Sequence, residues 1–428
     1  MTMGRRKQRQ ESLFVASESL AKSPGHPFYK KLNALLSEAE FDRWIESRCE
    51  GYYEQTETRG QPSLPPGVYF RMLLVGYFEG LDSQRGIGWR CADSLSLREF
   101  LGYGPQQPTP EASTLSRTRR RLPAEVFDEV FQFVLRIAQD KKMLSGKTVG
   151  VDSTTLEANA AMKSIVRRDT GEDWRAYVTR LMREEGVIAE DEEPTDDQRR
   201  RYDKRRMDKK VSNDDWVSPS DPEAGITQLK DGRTHLAYKA EHVVDLKSEL
   251  VVAATVHSGD TGDTTTMVDS VMEAEMNLKA VGSRETITQV AADRGYHSAA
   301  VLELCQSLGL RTYIPEPKQP HDRTWADKPD AHRRAVECNR RRTRRAKGRR
   351  LQRLRSERVE RSFAHVCDTG GARRGWIRGL AEVTKRYLIT VAAQPGPHPS
   401  QALRSRQAAE PERSCAACRA ATDARHTA

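Results

Sequence analysis

The sequence predicts an α/β domain preceded by an all-helical domain. Apolar residues recur every three or four positions up to about Leu144, short β-branched runs begin at Lys147, and helical segments separate the later runs. At 428 residues the chain is long enough for two or three domains, each with its own core. We expect a disordered basic arm over 1–26, a helical domain over 27–145, an α/β domain over 146–393 and a disordered tail over 394–428.

The helical region shows cap signals between its apolar stretches. Ser37 with Glu40 forms a capping-box pattern before one apolar run, and Ser96 with Glu99 repeats it before another. These patterns predict that two helices begin directly after the two serines.

A basic helix is predicted from Ser113 to Leu122, in the stretch STLSRTRRRL. Its polar positions are hydroxyls and arginines, so it either presents a solvated face or contacts DNA phosphates. A long amphipathic helix from Ala124 to Leu144 follows and leads into the first strand. The candidate DNA contacts of the basic helix are Arg117, Arg119, Arg120 and Arg121.

Short β-branched runs predict the strands of the α/β domain. They are KTVGVD (147–152), HLAYKAEHVVD (235–245), ELVVAATVH (249–257), TITQVAAD (286–293) and RTYIPE (311–316). Helical patterns separate the last three runs, which predicts parallel strands with helical crossovers. A charged insertion, Ile165 to Arg233, lies between the first two strands and is expected to be a solvated helical or mobile segment.

The charge balance favours a polyanionic partner. The formal net charge is +10 and the isoelectric point is about 9.2, a trait of nucleic-acid-binding, ribosomal and membrane-surface proteins. No apolar window is long enough to span a membrane, so we expect a cytoplasmic, nucleoid-associated protein with no membrane partner. The nucleophile-elbow, P-loop and HExxH patterns are absent, which argues against hydrolases and NTPases of those classes.

The cysteines predict neither disulfides nor zinc. Their number is seven, and their spacing is irregular. Cys415 and Cys418 form a C-x-x-C pair, but a structural zinc site needs a second ligand pair, and none stands at a suitable spacing.

Two predicted strands end in aspartate, at Asp152 and Asp293. Each residue alone is explained by an Asx turn or a helix cap. As a pair at the carboxyl ends of neighbouring strands they face the position where ligands gather in an open α/β sheet. Two carboxylates about 4 Å apart repel by about 4 kcal/mol at an effective dielectric of 20, so the pair requires a proton or a cation. Carboxylate oxygens suit Mg²⁺ or Mn²⁺.

An arginine-rich helix supplies the third candidate carboxylate. The run from Asn339 to Arg361 is dense in arginine and is expected to attract phosphates. If Val359, Phe363 and Val366 define the buried face of this helix, Glu360 lies closer to the sheet than Glu357. The alternative for both is an exposed pair satisfied by neighbouring arginines. The candidate DNA contacts of this helix are Arg353, Arg355, Arg358 and Arg361.

The pattern of Asp152, Asp293 and Glu360 resembles the DDE triad of bacterial insertion-sequence transposases, which have an RNase H-like core. The resemblance spans Pro27 to Ala393 and includes the stretches HPFYKKLNALL, STLSRTRRRL, GVDSTTLEANA, AADRGYHS and LRSERVERSFAHV. It implies that the three carboxylates hold two Mg²⁺ or Mn²⁺ ions. It also implies binding to terminal inverted repeats and target DNA, metal-dependent strand cleavage and strand transfer, and a homodimer in the synaptic complex.

The chain departs from that family in two places. Related elements place a tyrosine and an arginine before the glutamate and a lysine after it, whereas counting from Glu360 gives Arg353, Ser356 and Cys367. The segment from 394 has one large aliphatic residue, Leu403, and no helical period, as a shifted reading frame, a decayed terminus or a disordered tail would have. The alternative function is therefore an inactive transposase remnant that only binds DNA.

His257 is a further candidate ligand or acid/base group. It ends a predicted strand and precedes Asp260 and Asp263. The alternative is a turn histidine that caps the following helix.

Overall fold

The computed structural model describes residues 25–53, 63–207, 212–228, 232–318, 324–325 and 328–393. The predicted tail and nearly all of the predicted arm, with Cys415 and Cys418, lie outside these residues. The described cysteines, Cys49, Cys91, Cys305, Cys338 and Cys367, are free thiols. Within the described parts of the chain, no helix is long and apolar enough to cross a membrane.

The N-terminal region is helical, as predicted. Its helices are α1 (Pro27–Glu38), α2 (Phe41–Cys49), α3 (Pro66–Phe78), α4 (Gln84–Asp93), α5 (Leu95–Phe100), α6 (Ala112–Arg121) and α7 (Ala124–Asp140). The basic helix α6 and the long helix α7 form where the periodicity predicts them. Aromatic residues fill the interior, where the rings of Phe70 and Phe127 pack edge to face at 5.3 Å.

The predicted capping boxes are wrong. Ser37 lies inside α1, and α2 begins after Glu40, whose backbone is left-handed at φ 51° and makes no side-chain cap bond. The cap of α5 is Ser94, whose hydroxyl accepts a bond from Leu97 N at 3.3 Å. A capping box is a short local sequence pattern, and it does not fix where a helix begins when the turn between two packed helices lies elsewhere. The turns before α2 and α5 therefore set the starts of these helices.

A mixed sheet forms the second region. Its strands are β1 (Thr148–Glu157), β4 (Gly225–Gln228), β5 (Thr234–Asp245), β6 (Val251–Ser258), β7 (Gln289–Ala292) and β8 (Arg311–Tyr313). β5 pairs antiparallel with β1 on one side and with β4 and β6 on the other, while β7 pairs parallel with both β1 and β8. The spatial order β6-β5-β1-β7-β8 places β1 at the centre.

Helices cover both faces of the sheet. α10 (Asp263–Ala280), α11 (Ala299–Ser307) and α12 (Asp330–Arg344) lie on one face, over Val149 and Val151. α13 (Ala346–Phe363) and α14 (Leu380–Ala393) lie on the other face. α14 also packs against α3 and α7, so that one apolar cluster joins the helical region to the sheet.

The charged insertion is partly ordered. It contains α8 (Trp174–Glu184), α9 (Asp196–Arg205) and the two-stranded ribbon of β2 (Val166–Arg167) and β3 (Trp216–Val217). The ion pair Arg175–Asp196 at 2.7 Å joins α8 to α9, and Arg199 Nε donates to Thr179 Oγ1 at 2.9 Å. Of the two forms expected for this insertion, the solvated helical one matches the described residues.

Candidate active site

Asp152 and Asp293 meet at the point where parallel pairing stops. The last pair between β1 and β7 is Val151 with Ala292, so Asp152 is the next residue of β1 and Asp293 is the first residue after β7. Adjacent strands lie about 4.8 Å apart, which brings the two backbones together. The sequence predicted that Asp152 is the last residue of its strand. This prediction is wrong, because β1 continues to Glu157 in antiparallel pairing with β5.

α13 lies across the two aspartates because Gly150 leaves room for it. A Cβ atom at Gly150 would come within 2.8 Å of Leu246, 2.9 Å of Val359 and 3.1 Å of Arg355. The missing side chain lets the helix approach the strand two residues before Asp152, on the same face. A glycine within a β-branched run was the available sequence signal for this contact.

Gln352 fixes α13 against the carboxyl ends of two strands. Its amide nitrogen donates to the carbonyl oxygen of Ala292 at 3.1 Å and to that of Tyr313. These bonds satisfy backbone acceptors that the sheet leaves open and set the helix beside Asp293.

Arg355 lies between the two aspartates. Its Nη1 is 2.5 Å from Asp152 Oδ2, and its Nη2 is 3.9 Å from Asp293 Oδ1. The arginine side chain is 9% exposed and that of Asp152 is 20% exposed. The guanidinium supplies positive charge where two carboxylates converge.

The pKa of Asp152 depends on its burial and on four neighbours, Asp293, Glu360, Arg355 and the Ser153 N–H. Burial raises the pKa of Asp152 to about 6, and the nearby charges of Asp293 and Glu360 add to the rise. Arg355 and the Ser153 N–H, which donates to Asp152 Oδ1 at 2.9 Å, lower the pKa and limit that rise. The charges of Asp293 and Glu360 therefore both act on Asp152 in the same direction.

Glu360 and Glu357 differ in their partners. Glu360 is exposed and accepts a bond from Ser356 Oγ at 2.8 Å, whereas Glu357 pairs with Arg361 at 2.8 Å. Of the two, Glu360 is the one that contributes to the pKa of Asp152. Side-chain bonds between Ser362 Oγ and His242 Nδ1 (2.8 Å) and between His242 Nε2 and the Tyr387 hydroxyl (2.7 Å) hold this end of α13 against β5 and α14.

A buried network supports the aspartates from the opposite face. Ser153, which follows Asp152, donates to Asp263 at 3.1 Å, and Asp263 pairs with Lys239 at 2.9 Å. Tyr296, three residues after Asp293, donates to the fully buried Glu241 at 2.7 Å. The strand that carries Asp152 and the turn that follows Asp293 are thus tied to one buried charge cluster. This cluster was not predicted, although two polar residues, Glu241 and His242, interrupt an apolar strand.

The predicted DNA contacts fall into two groups. The exposed arginines are Arg117, Arg120, Arg121 and Arg353. The other predicted contacts are held within the protein: Arg119 pairs with Glu382 at 2.6 Å, and Arg358 and Arg361 both pair with Glu249. Arg355 belongs to this second group.

His257 lies within β6 and does not cap α10. Its Nε2 is 3.0 Å from Thr255 Oγ1, and the residue before α10 is Gly262, with no side-chain cap bond. Burial lowers the pKa of His257, which favours the neutral imidazole.

The donor chemistry of the carboxylate cluster fits a hard divalent cation. Asp152, Asp293 and Glu360 offer only oxygen atoms, and their mutual repulsion favours added positive charge. In the described residues, no group of three His, Cys, Asp or Glu side chains is arranged closely enough to hold a metal ion as it stands.

Family comparisons match both regions of the chain. Residues 17–121 match a family model described as Transposase domain (DUF772), and residues 214–394 match one described as Transposase DDE domain. Neither a curated protein nor a solved structure matches the chain. The second match, with the mixed sheet and its flanking helices, gives the RNase H-like fold that the sequence predicted.

Proposed function

We propose a complete reaction for this chain, which belongs to the DDE transposases of insertion sequences. Membership in this family gives DNA as the substrate and an enzyme of the nuclease or transposase class, and DDE transposase domains generally use divalent metal ions. The proposal adds the site residues, the metal and the steps. The protein binds the terminal inverted repeats of its element, cuts the DNA strand there, and joins the freed 3′-hydroxyl to target DNA.

Asp152, Asp293 and Glu360 are the residues that would hold the metal. The observation that carries this assignment is the position of Asp152 and Asp293 beside the last parallel pair of β1 and β7, with the guanidinium of Arg355 between them. The charge of Glu360 on α13 contributes to the raised pKa of Asp152. Two Mg²⁺ or Mn²⁺ ions, when bound, would activate the attacking oxygen and stabilise the leaving oxygen of the phosphodiester. The buried network around Glu241 keeps the two aspartates in place.

The exposed arginines would position the DNA. Arg353 lies on α13 three residues before Ser356, whose hydroxyl contacts Glu360, and Arg117, Arg120 and Arg121 lie on α6. Phosphate contacts of this kind set register and orientation but do not read sequence. Two copies of the chain would hold the two element ends in one synaptic complex.

The test uses a duplex that carries the inverted repeat found in the DNA flanking the coding sequence. We expect a gel shift with this duplex, nicking at the repeat when Mg²⁺ is added, and joined products when a target plasmid is present. A protein that shifts the duplex but never nicks it with Mg²⁺ or Mn²⁺ would contradict the proposal and favour the DNA-binding remnant.

A further inference from the structure

An exposed tryptophan stands on a basic loop that follows the active-site helix. The loop 368–379 begins in the last two residues of the π-helical turn Ala364–Thr369, which continues α13, and ends where α14 begins. Three arginines and one aspartate give the loop a net charge of +2. Trp376 lies at its tip and is 57% exposed.

The backbone around Trp376 is fixed. Glu157 N donates to Arg373 O at 2.8 Å, and Gly375 N donates to Glu157 O at 3.2 Å, so the loop pairs with the last residue of β1. Asn159 Nδ2 donates to Trp376 O at 3.0 Å. A large apolar side chain on an anchored backbone loses little conformational entropy when it binds a ligand.

Trp376 and its neighbour Ile377 lie in different surroundings. Ile377 points inward, where it lines a small cavity with Leu156 and Tyr238. Trp376 and the arginines beside it point outward. The Arg374 guanidinium lies over one face of the Trp376 ring, 5.6 Å from its centroid, while Trp376 as a whole stays 57% exposed. Arg373 pairs with Asp368 at 3.0 Å, and Arg378 donates to the carbonyl oxygen of Asn159 at 3.0 Å. The exposed arginines of the loop are Arg373, Arg374 and Arg378.

We propose that Trp376 stacks on an unpaired base of the element-end DNA, an inference that rests on the proposed function. An aromatic face flanked by cations is the arrangement that binds single-stranded nucleic acid, because every base offers a π-face and every nucleotide a phosphate. A paired duplex offers no free base face, so the ligand is a base that has left the helix.

The position of the loop indicates which base this is. Glu157 lies five residues along β1 from Asp152, about 16 Å at 3.3 Å per residue. That distance corresponds to several nucleotides from the phosphate that Asp152 faces. Trp376 therefore contacts the DNA near the cleavage point but outside the carboxylate cluster.

The test measures binding to an end duplex with a short single-stranded extension that carries 2-aminopurine, without divalent metal. We expect the wild-type protein to bind the extended duplex about 5- to 150-fold more tightly than the blunt duplex, the range expected for one stacked base. We also expect it to quench 2-aminopurine at one position. Trp376→Ala should lose both effects and Trp376→Phe should keep most of each. Trp89→Ala is the matched control, because Trp89 is 66% exposed on α4.

Three outcomes would overturn the inference. The wild-type protein could show no preference for the extended duplex, or Trp376→Ala could keep that preference. The substitution could also change only the oligomeric state, which would assign the tryptophan to a contact between copies. The result is separable from the reaction. A protein that stacks the base through Trp376 but never nicks would contradict the proposed function alone, and one that nicks without any effect of Trp376→Ala would contradict this inference alone.

Discussion

Arg355 Nη1 lies 2.5 Å from Asp152 Oδ2, in a contact that joins residues 203 positions apart. Both side chains are largely buried, and the same guanidinium reaches Asp293 at 3.9 Å. The arginine is therefore an internal counter-ion of the carboxylate cluster, although the sequence placed it among the DNA contacts.

Replacing Arg355 with alanine should leave the cluster with uncompensated negative charge. We expect Arg355→Ala to lose about 3 kcal/mol of unfolding free energy in EDTA at neutral pH, the lower end for a broken buried pair, because Asp152 keeps some exposure. Mn²⁺ should raise the melting temperature of this variant more than that of the wild type. Arg355→Lys is the matched variant and should lose less. Equal stability of Arg355→Ala and wild type in EDTA would contradict the counter-ion role.

Adding a methyl group at Gly150 should move α13 away from the sheet. The new Cβ would come within about 3 Å of Val359 and Arg355, so we expect Gly150→Ala to cost about 1–3 kcal/mol in urea unfolding and to reduce nicking. Gly51→Ala is the control, because no atom lies within 4 Å of a Cβ at that position. A Gly150→Ala protein with unchanged stability and activity would show that the close approach is unimportant.

Two carboxyl groups, Asp128 on α7 and Glu273 on α10, should make the free energy of unfolding depend on pH. Burial raises the pKa of Glu273 to about 7, with a contribution from Asp128, whose own pKa burial raises to about 6. Because the folded state binds these protons more tightly than the unfolded state, their stabilisation is complete below about pH 4 and is lost as pH rises through 7. Glu273→Gln should therefore melt at a higher temperature than wild type at pH 8, and the difference should be much smaller at pH 5.

Glu285→Gln, at an exposed position after α10, is the control for this titration. It should follow the wild-type melting temperature at both pH values. A Glu273→Gln protein that melts below wild type at pH 8 would contradict the assignment.

Exposed and internally paired arginines should differ in their effect on DNA binding. If the basic surfaces neutralise about six phosphates, a plot of the logarithm of the DNA association constant against the logarithm of salt concentration should have a slope near −5. A slope shallower than about −2 would contradict the claim that phosphate contacts dominate the affinity. Arg353→Ala should reduce the slope by about 1, because this arginine is exposed beside the site. Arg119→Ala should leave the slope unchanged and lower stability instead, because Arg119 is paired with Glu382.

The sequence predicted the parts of the fold that depend on local periodicity. The helices α6 and α7, the five predicted strands and the two crossover helices α10 and α11 form near the predicted positions. The length of β1 was not predictable in this way, because antiparallel pairing with β5 extends it to Glu157. Cap positions were also wrong, since packing between helices fixed them.

The three carboxylates of the candidate site were proposed from the sequence and stay a prediction, whereas the residues that support them were missed. Asp152 and Asp293 follow apolar runs, and the turn of the helix favours Glu360 over Glu357, so the sequence holds these signals. The role of Arg355 depends on how closely α13 approaches Gly150, which is a tertiary contact. The same holds for Glu241, whose partners come from α10 and from the turn after β7.

The most direct test of the account is Mg²⁺-dependent nicking of an element-end duplex by single variants of the three carboxylates. We expect Asp152→Asn, Asp293→Asn and Glu360→Gln each to lose more than about 100-fold of the nicking rate while binding the duplex nearly as wild type does, because separate basic surfaces provide the affinity. Glu357→Gln, one turn away on the same helix and paired with Arg361, should retain most activity. Loss of nicking in Glu357→Gln but not in Glu360→Gln would show that the helix residue is misassigned. Nicking by Asp152→Asn at the wild-type rate would contradict the triad itself.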